Sequence, residues 1–392
     1  MRQIFAGFCI IGILISCGAK QPDKQQTIVL KDSVSVKPAP RLSASEYKRI
    51  WGLSSTFYNS LLRSGFNGSF LVAKNDSVIF ESIHGFVNLR KKEPLTEHSA
   101  FHLASVSKTF TAMVVLKLME EGKINLDTNV QAYLPTFPYP GVTVKMLLSH
   151  RSGLPNYLYF MEKLPWNKKQ FLTNDSLLKV MIRFKPPVQS RPGVHFHYCN
   201  TNYAMLALIV EKVTGIPFPT YMKQTIFDPL GMKDTYICTV NDLPSAMPSY
   251  LGNGRLEPWT YLDGVYGDKN VYSTTRDILR WDQALRGGFL SKASLEMAYK
   301  PYSFEKKGIR NYGLGWHMFL YPTEKVIFHN GYWHGNNAVF FRLLDEGYTI
   351  IVLGNKYDRY IYHVQPLAEA LTGRKFDDKN APPQPEEADK EE

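Results

Sequence analysis

The positions of the strand-like segments constrain the fold of this chain more than any other feature. Two β-rich runs, residues 69–74 and 78–82, are joined by Asn75-Asp76, a pair typical of a tight hairpin. Four more runs come near the end of the chain: YGLGWHMFLY, KVIFHN, NAVFFRLL and YTIIVLGN. We therefore expect an α+β fold in which N- and C-terminal strands form one antiparallel sheet flanked by helices, with a mostly helical subdomain inserted between them.

The intervening residues, from 105 to about 299, are mostly helical in pattern. The segments TAMVVLKLMEEG and NYAMLALIVEKVTG each predict a helix with one apolar face and a terminal glycine. A first helix is predicted over residues 45–63, ending near Gly65, and a last one over about residues 360–371.

The N-terminus has the pattern of a bacterial lipoprotein leader. Arg2 precedes the apolar stretch IFAGFCIIGILIS, which is too short for a stable membrane span and ends at Cys17. We expect residues 1–16 to be a signal peptide and Cys17 to be lipidated, although a plain cleaved signal remains the alternative. Residues 17–43 are polar and contain proline, which predicts a flexible tether. The protein is then exported and anchored to a bacterial membrane, either inner or outer.

Charge is distributed unevenly along the chain. The net charge is +11, but residues 377–392 carry seven acidic and two basic residues, which predicts a disordered acidic tail. The remaining basic residues are dispersed, without a run of five or six and without a nucleic-acid-binding module, so we expect no nucleic-acid partner. Residues 44–376 are predicted to form the folded domain.

The stretch HFHYCN, residues 195–200, permits several chemistries. His195 and His197 are spaced like metal ligands, but a zinc enzyme needs about three protein ligands and no HExxH or CxxC accompanies them, so we expect no metal and no other cofactor. Cys199 lacks the surroundings of a cysteine hydrolase, and we expect a semi-buried thiol. Whether Cys199 pairs with Cys238 is left open.

Serine chemistry is better supported. The spacing Ser-x-x-Lys occurs four times, and only Ser105-x-x-Lys108 lies where a short loop enters a strongly amphipathic helix. Residues three apart share a helix face, so Lys108 would point at the Ser105 hydroxyl. A buried amine accepts a serine proton more readily, because burial disfavours its charged form.

Two further elements complete a predicted pocket. Tyr198-Cys199-Asn200 is the one Tyr-x-Asn among 23 tyrosines; Tyr198 could relay protons and Asn200 could donate to a substrate amide. His329-Asn330-Gly331 ends a β-run, where Gly331 allows close backbone approach and His329 supplies a donor. The backbone N–H groups of Ser105 and Tyr332 would bind the oxyanion.

Together these elements resemble the serine β-lactamase and penicillin-binding protein superfamily, in particular the branch of class C β-lactamases, D-Ala-D-Ala carboxypeptidases and related esterases. The likeness covers most of residues 48–372 and includes ASVSK, LLSHRSGLPNY, PGVHFHYCNTNYAMLALIVEKVTG, YGDKNVYSTTRDILRW and YGLGW. The resemblance implies a β-lactamase/transpeptidase-like fold, Ser105 as acylated nucleophile, and Lys108 with Tyr198 as the base system. It places His329 where lysine is common, which favours a peptidase or esterase over a true β-lactamase.

Two functions are expected from this resemblance. The first is a serine hydrolase that acts through an acyl-enzyme on a D-amino-acid peptide of the cell-wall type, an ester or a related amide. The alternative is a sensor that binds penicillin or muropeptides without turnover. The sequence leaves open the physiological substrate, the oligomeric state, the fate of β-lactams, and whether Lys108 or Tyr198 takes the first proton.

Overall fold

The first long strand of the chain pairs with the last one. In the computed structural model, which describes residues 42–305, 308–321 and 324–376, Gly68 aligns with Gly354 and Lys74 with Tyr348 in antiparallel register. The predicted closure of one sheet by both ends of the chain is confirmed, as is the helical insertion between them.

The elements of the described chain are as follows. The strands are β1 Gly68–Lys74, β2 Ser77–His84, β3 Phe86–Asn88, β4 Glu93–Pro94, β5 Phe101–His102, β6 Tyr236–Ile237, β7 Ser249–Tyr250, β8 Leu256–Glu257, β9 Val271–Ser273, β10 Arg310–Tyr312, β11 His317–Tyr321, β12 Glu324–Trp333, β13 Asn336–Leu343 and β14 Tyr348–Gly354. The α-helices are α1 Ala44–Ser64, α2 Ser107–Glu120, α3 Val144–Leu148, α4 Tyr157–Lys163, α5 Asn174–Phe184, α6 Asn200–Thr214, α7 Phe218–Met222, α8 Thr275–Arg286, α9 Lys292–Ala298 and α10 Gln365–Thr372.

The main sheet has seven strands in the order β10-β11-β12-β13-β14-β1-β2. Asn75 and Asp76 form the predicted hairpin turn between β1 and β2, and both have positive φ, as a tight two-residue turn requires. The segment YGLGWHMFLY, predicted as one strand, is instead broken into β10 and β11. The break occurs at Gly315, whose φ of +84° reverses the chain.

Helices cover both faces of this sheet. Residues of α1 and α10, including Ile50, Leu61 and Leu371, pack with one face of β13 and β14. The larger core on the other face contains α2, α6 and α8. All eight residues of β13 and all seven of β14 are buried, which explains the apolar runs in both strands.

The central helices α2 and α6 differ from the predicted pattern of one apolar face. Eleven of the 14 residues of α2 are buried, and α6 is buried continuously from Thr201 to Val210. Both helices lie in the middle of the larger core, so their polar side chains, Lys108 among them, face other protein groups rather than water.

Near the C-terminus, the last helix differs from the prediction in where it begins. The last helix begins at Gln365, later than predicted, because Pro366 fits the first turn of a new helix; a 3₁₀ turn, Arg359–Tyr362, precedes it. Among the described residues, no helix combines the length and hydropathy needed to cross a membrane. The predicted leader, Cys17, nearly all of the tether and the acidic tail lie outside the described residues.

Candidate active site

Ser105 lies in a 3₁₀ turn, Ala104–Val106, that leads directly into α2. Ala104 has a φ of +46°, a left-handed conformation that alanine rarely adopts and that costs on the order of 1–3 kcal/mol. The Ala104 N–H donates to His102 Nδ1 at 2.9 Å, and the Leu103 N–H donates to the Val271 carbonyl at 2.8 Å. Two buried hydrogen bonds therefore hold the strained residue that precedes Ser105.

Lys108 connects the turn to two other parts of the site. Its side chain is fully buried, and its Nζ donates to Ser105 Oγ at 2.8 Å, to Asn200 Oδ1 at 2.7 Å and to the Asp268 carbonyl at 2.9 Å. The three acceptors come from the turn, from the start of α6 and from the segment before β9. The i, i+3 geometry predicted from Ser-x-x-Lys is present.

These contacts allow Lys108 to exchange a proton with Ser105. Asn200 Oδ1 and the Asp268 carbonyl can only accept, so each requires one N–H of Lys108. A neutral amine has two N–H groups and one lone pair, and the lone pair is then directed at Ser105 Oγ. Lys108 can take the Ser105 proton without giving up either of the other hydrogen bonds.

The first turn of α6 and the loop before it carry Tyr198 and Asn200. Segment 148–157 fixes this turn: Asn202 Oδ1 accepts from Ser152 Oγ at 2.6 Å, and Thr201 Oγ1 donates to the Pro155 carbonyl at 2.7 Å. Because Asn200 Oδ1 accepts from Lys108, its amide NH₂ is directed elsewhere and makes no hydrogen bond within the described part of the chain. That amide remains available as a donor.

Tyr198 lies over the lysine, in a cluster of rings. Lys108 Nζ is 4.9 Å from the centre of the Tyr198 ring. The ring also lies 4.3 Å from that of His150, 5.9 Å from that of His317 and 6.4 Å from that of His329. The structure therefore brings Ser105, Lys108, Tyr198 and Asn200 together.

Strand β12 forms the third side of the candidate site, after the Ser105 turn and the start of α6. A Cβ on Gly331 would lie 2.2 Å from the Leu103 carbonyl oxygen and 3.1 Å from the Ala104 Cβ, so only glycine allows β12 to lie this close to the turn. Tyr332 follows on the strand, with a side chain that is 47% exposed. Its ring contacts the ring of Tyr357 at 5.3 Å between centres.

His329 is buried, and its hydrogen bonds fix its tautomer. Nδ1 lies 2.7 Å from the Asn330 carbonyl, which can only accept, so Nδ1 carries the hydrogen. Nε2 is then an acceptor, 3.5 Å from the Tyr312 hydroxyl. Burial, followed by the nearby His317 and Lys108, holds the pKa of His329 well below its usual value. The imidazole is neutral, and the donor role predicted for it does not fit this tautomer.

Cys199 and His197 of HFHYCN have structural contacts. Cys199 is buried, its Sγ donates to the Leu154 carbonyl at 3.4 Å, and burial raises the pKa of its thiol to about 11. Cys199 and Cys238 are both free thiols. The backbone N–H of His197 donates to the His150 carbonyl at 2.8 Å. In residues 42–305, 308–321 and 324–376, no three His, Cys, Asp or Glu side chains form a group that could hold a metal ion.

Some contributors to the site were not predicted. The Asp268 carbonyl is a backbone atom, so no side-chain pattern could reveal it. His150 lies in LLSHRSGLPNY, and its Nδ1 accepts from the Cys199 N–H at 3.1 Å, which positions the residue after Tyr198. His317 follows YGLGW, and its place beside Tyr198 depends on the turn at Gly315.

Comparisons with known proteins identify the family of this chain. A family model described as Beta-lactamase matches residues 64–367. The chain is 32% identical over 336 residues to penicillin-binding protein 4* of Bacillus subtilis (strain 168), covering 80% of this chain and 74% of that relative. It is 26% identical over 295 residues to the D-aminopeptidase of Brucella anthropi, covering 74% of this chain and 56% of that relative.

Solved structures show the same architecture. A penicillin binding protein from Bacillus halodurans superposes with a TM-score of 0.71 at 25% identity, covering 80% of this chain and 98% of that one. The D-amino acid amidase of Ochrobactrum anthropi SV3, solved with L-phenylalanine, superposes with a TM-score of 0.68 at 24% identity, covering 84% and 98%. The β-lactamase/transpeptidase-like fold expected from the sequence is thereby confirmed.

Proposed function

We propose that this chain, which belongs to the β-lactamase family of serine hydrolases, cleaves a D-amino-acid peptide, an ester or a related amide through an acyl-enzyme on Ser105. The observation that carries the proposal is the three-way hydrogen bonding of Lys108 to Ser105 Oγ, Asn200 Oδ1 and the Asp268 carbonyl. This arrangement holds an amine against a hydroxyl in both protonation states.

The residues would act in two stages. In acylation, Ser105 Oγ attacks the substrate carbonyl while its proton passes to the pair formed by Lys108 and Tyr198, and Tyr198 delivers a proton to the leaving group. In deacylation, water attacks the acyl carbon, its proton passes to the same pair, and Ser105 regains its hydrogen. The backbone N–H groups of Ser105 and Tyr332 would stabilise the oxyanion in both stages.

The neutral His329 favours a substrate other than a β-lactam. An ammonium would attract the carboxylate of a β-lactam, whereas a buried neutral imidazole whose Nε2 accepts hydrogen bonds would not. The relative named D-aminopeptidase supports a peptide that contains a D-residue.

Active-site labelling tests the proposal. The protein is incubated with a fluorophosphonate and, separately, with a fluorescent penicillin, and the adducts are mapped by mass spectrometry. We expect an adduct on Ser105 that is absent in Ser105→Ala and present in Ser45→Ala. Ser45 is a matched control because it is exposed at the start of α1 and has the same spacing to a lysine. Labelling that persists in Ser105→Ala contradicts the proposal, and a penicillin adduct with no turnover of any substrate favours the sensor.

We also propose that the protein is exported and anchored through a lipid on Cys17. The support is the leader-like sequence: Arg2, a short apolar stretch and a cysteine at its end. Expressed in a bacterium with labelled palmitate, the wild type should carry the label and sediment with membranes. Cys17→Ala should lose both properties; equal labelling of the two proteins contradicts the anchor.

A further inference from the structure

A second buried lysine lies beside the Ser105–Lys108 pair. Lys269 is 3% exposed and directly follows Asp268, the residue whose carbonyl accepts from Lys108. Its Nζ lies 4.9 Å from the ring centre of Trp333 and 5.1 Å from that of Tyr157. Trp333 is the next residue after Tyr332 on β12, so Lys269 connects the segment that binds Lys108 with β12.

The hydrogen bonding of Lys269 is incomplete. Its ammonium donates to the Tyr157 hydroxyl, which in turn donates to Asp268 Oδ2 at 2.8 Å. Asp268 Oδ2 lies 3.7 Å from Nζ, within ion-pair range but beyond a hydrogen bond. Among the residues that the structure describes, the Tyr157 hydroxyl accepts one N–H of Lys269 and the ion-paired Asp268 Oδ2 faces a second, which leaves one N–H group unused.

The hydrogen bonding of the Asp268 carboxylate is also incomplete. Its Oδ1 is buried and has no hydrogen-bond partner in the described chain. More than nine in ten buried polar groups in native proteins are paired, and leaving one unpaired is destabilising. One unused donor next to one unused acceptor therefore indicates a place that a ligand completes.

The position of Lys269 points to the acyl side of a bound substrate. Tyr198, which would protonate the leaving group, is surrounded by His150, His317 and His329. Lys269 instead lies against Tyr157 and Trp333, and Trp333 is partly exposed. The two sets of rings share no member, so Lys269 lies apart from the residues around the proposed leaving-group donor.

We propose that Lys269 and Asp268 form a polar subsite for an amide group on the acyl side of the scissile bond. The amide carbonyl accepts from Lys269, and the amide N–H donates to Asp268 Oδ1. An amide supplies the one acceptor and the one donor that the pair lacks. A carboxylate would instead add a second negative charge to a buried pair that is already neutral. This inference rests on the proposed function of Ser105.

Three p-nitrophenyl esters with a common leaving group test the subsite. N-acetyl-D-alanine carries an acyl-side amide, butyrate carries none, and N-succinyl-D-alanine adds a carboxylate to the amide. For Lys269→Met, we expect the ratio of kcat/KM for the N-acetyl-D-alanine ester to that for the butyrate ester to fall about 10-fold or more, because hydrogen bonds to charged groups contribute about 1.5–3 kcal/mol. Lys292→Met is the matched control, since the Lys292 side chain is 91% exposed, and should keep the wild-type ratio.

The outcomes separate the possible explanations. A Lys269→Met variant that loses the same factor on all three esters, or none, overturns the subsite, because a structural role would not distinguish acyl groups. A loss confined to the N-succinyl ester shows that the subsite binds a carboxylate and overturns the amide assignment. If Lys269→Met does not fold, Lys269→Gln replaces it, and the same ratio should fall several-fold. A wild type that hydrolyses none of the esters and takes no label on Ser105 contradicts the proposed function itself.

Discussion

The backbone of Gly331 lies so close to Leu103 that a Cβ at position 331 would be 2.2 Å from the Leu103 carbonyl oxygen. Leu103 directly precedes the turn that carries Ser105. Gly331 precedes Tyr332, whose N–H is the proposed oxyanion donor. The distance between nucleophile and oxyanion donor therefore depends on the absence of one side chain.

Gly331→Ala should separate β12 from the turn. We expect a loss of stability of about 1–3 kcal/mol, typical of overpacking, and a fall in kcat/KM of about 10² because a small misplacement of reacting groups is costly. Thermal unfolding and ester hydrolysis measure the two effects. Gly52→Ala is the control: nothing lies within 4 Å of its Cβ position, so the variant should keep its activity and gain about 0.5–1 kcal/mol. Full activity in Gly331→Ala contradicts the proposed oxyanion geometry.

Replacing Lys108 distinguishes a base from a mere positive charge. Lys108→Met and Lys108→Arg should both slow acylation by about 10²–10⁴, because neither side chain can accept the Ser105 proton. The rate of fluorophosphonate labelling of Ser105 measures acylation directly. If Lys108→Arg restores most of the rate, the charge of Lys108 matters and proton acceptance does not.

Tyr198→Phe keeps the ring against His150 and removes only the hydroxyl. We expect acylation to slow by about 10² if the phenol relays protons. Tyr203→Phe is the matched control on neighbouring α6. The Tyr203 hydroxyl donates to the Leu148 carbonyl at 2.8 Å, so its loss should lower stability with little effect on the acylation rate of the folded protein. Equal rates in wild type and Tyr198→Phe remove the relay role.

How much of this site could be predicted depends on the kind of atom involved. Their i, i+3 spacing predicts that Ser105 and Lys108 share one helix face. The need for glycine at position 331 is predicted because a strand there approaches a turn closely. The Asp268 carbonyl and the tautomer of His329 could not be predicted, because both depend on which backbone carbonyls the tertiary structure brings near. The burial of α2 on nearly all sides was also missed, since its serine, lysine and threonine side chains are paired inside the core.

His102, which holds the strained residue Ala104 before Ser105, should make the stability of the protein depend on pH. His102 Nδ1 accepts from the Ala104 N–H, and Nε2 lies 3.1 Å from Asn270 Oδ1, so the neutral ring satisfies both contacts. Burial lowers the pKa of His102 to about 4, against about 6.5 for an unfolded histidine. Between these values the unfolded chain binds a proton that the folded chain does not, so stability falls as the pH falls from about 6.5 to about 4, and this contribution changes no further below that.

The expected size of this effect is about 3 kcal/mol over the window, from about 1.4 kcal/mol for each pH unit. Urea unfolding at a series of pH values measures it in the wild type and in His102→Gln, which has no group that titrates there. The stability of the wild type relative to His102→Gln should decline from pH 7 to pH 4. Parallel curves for the two proteins contradict the assignment, because a neutral buried His102 is the source of the difference.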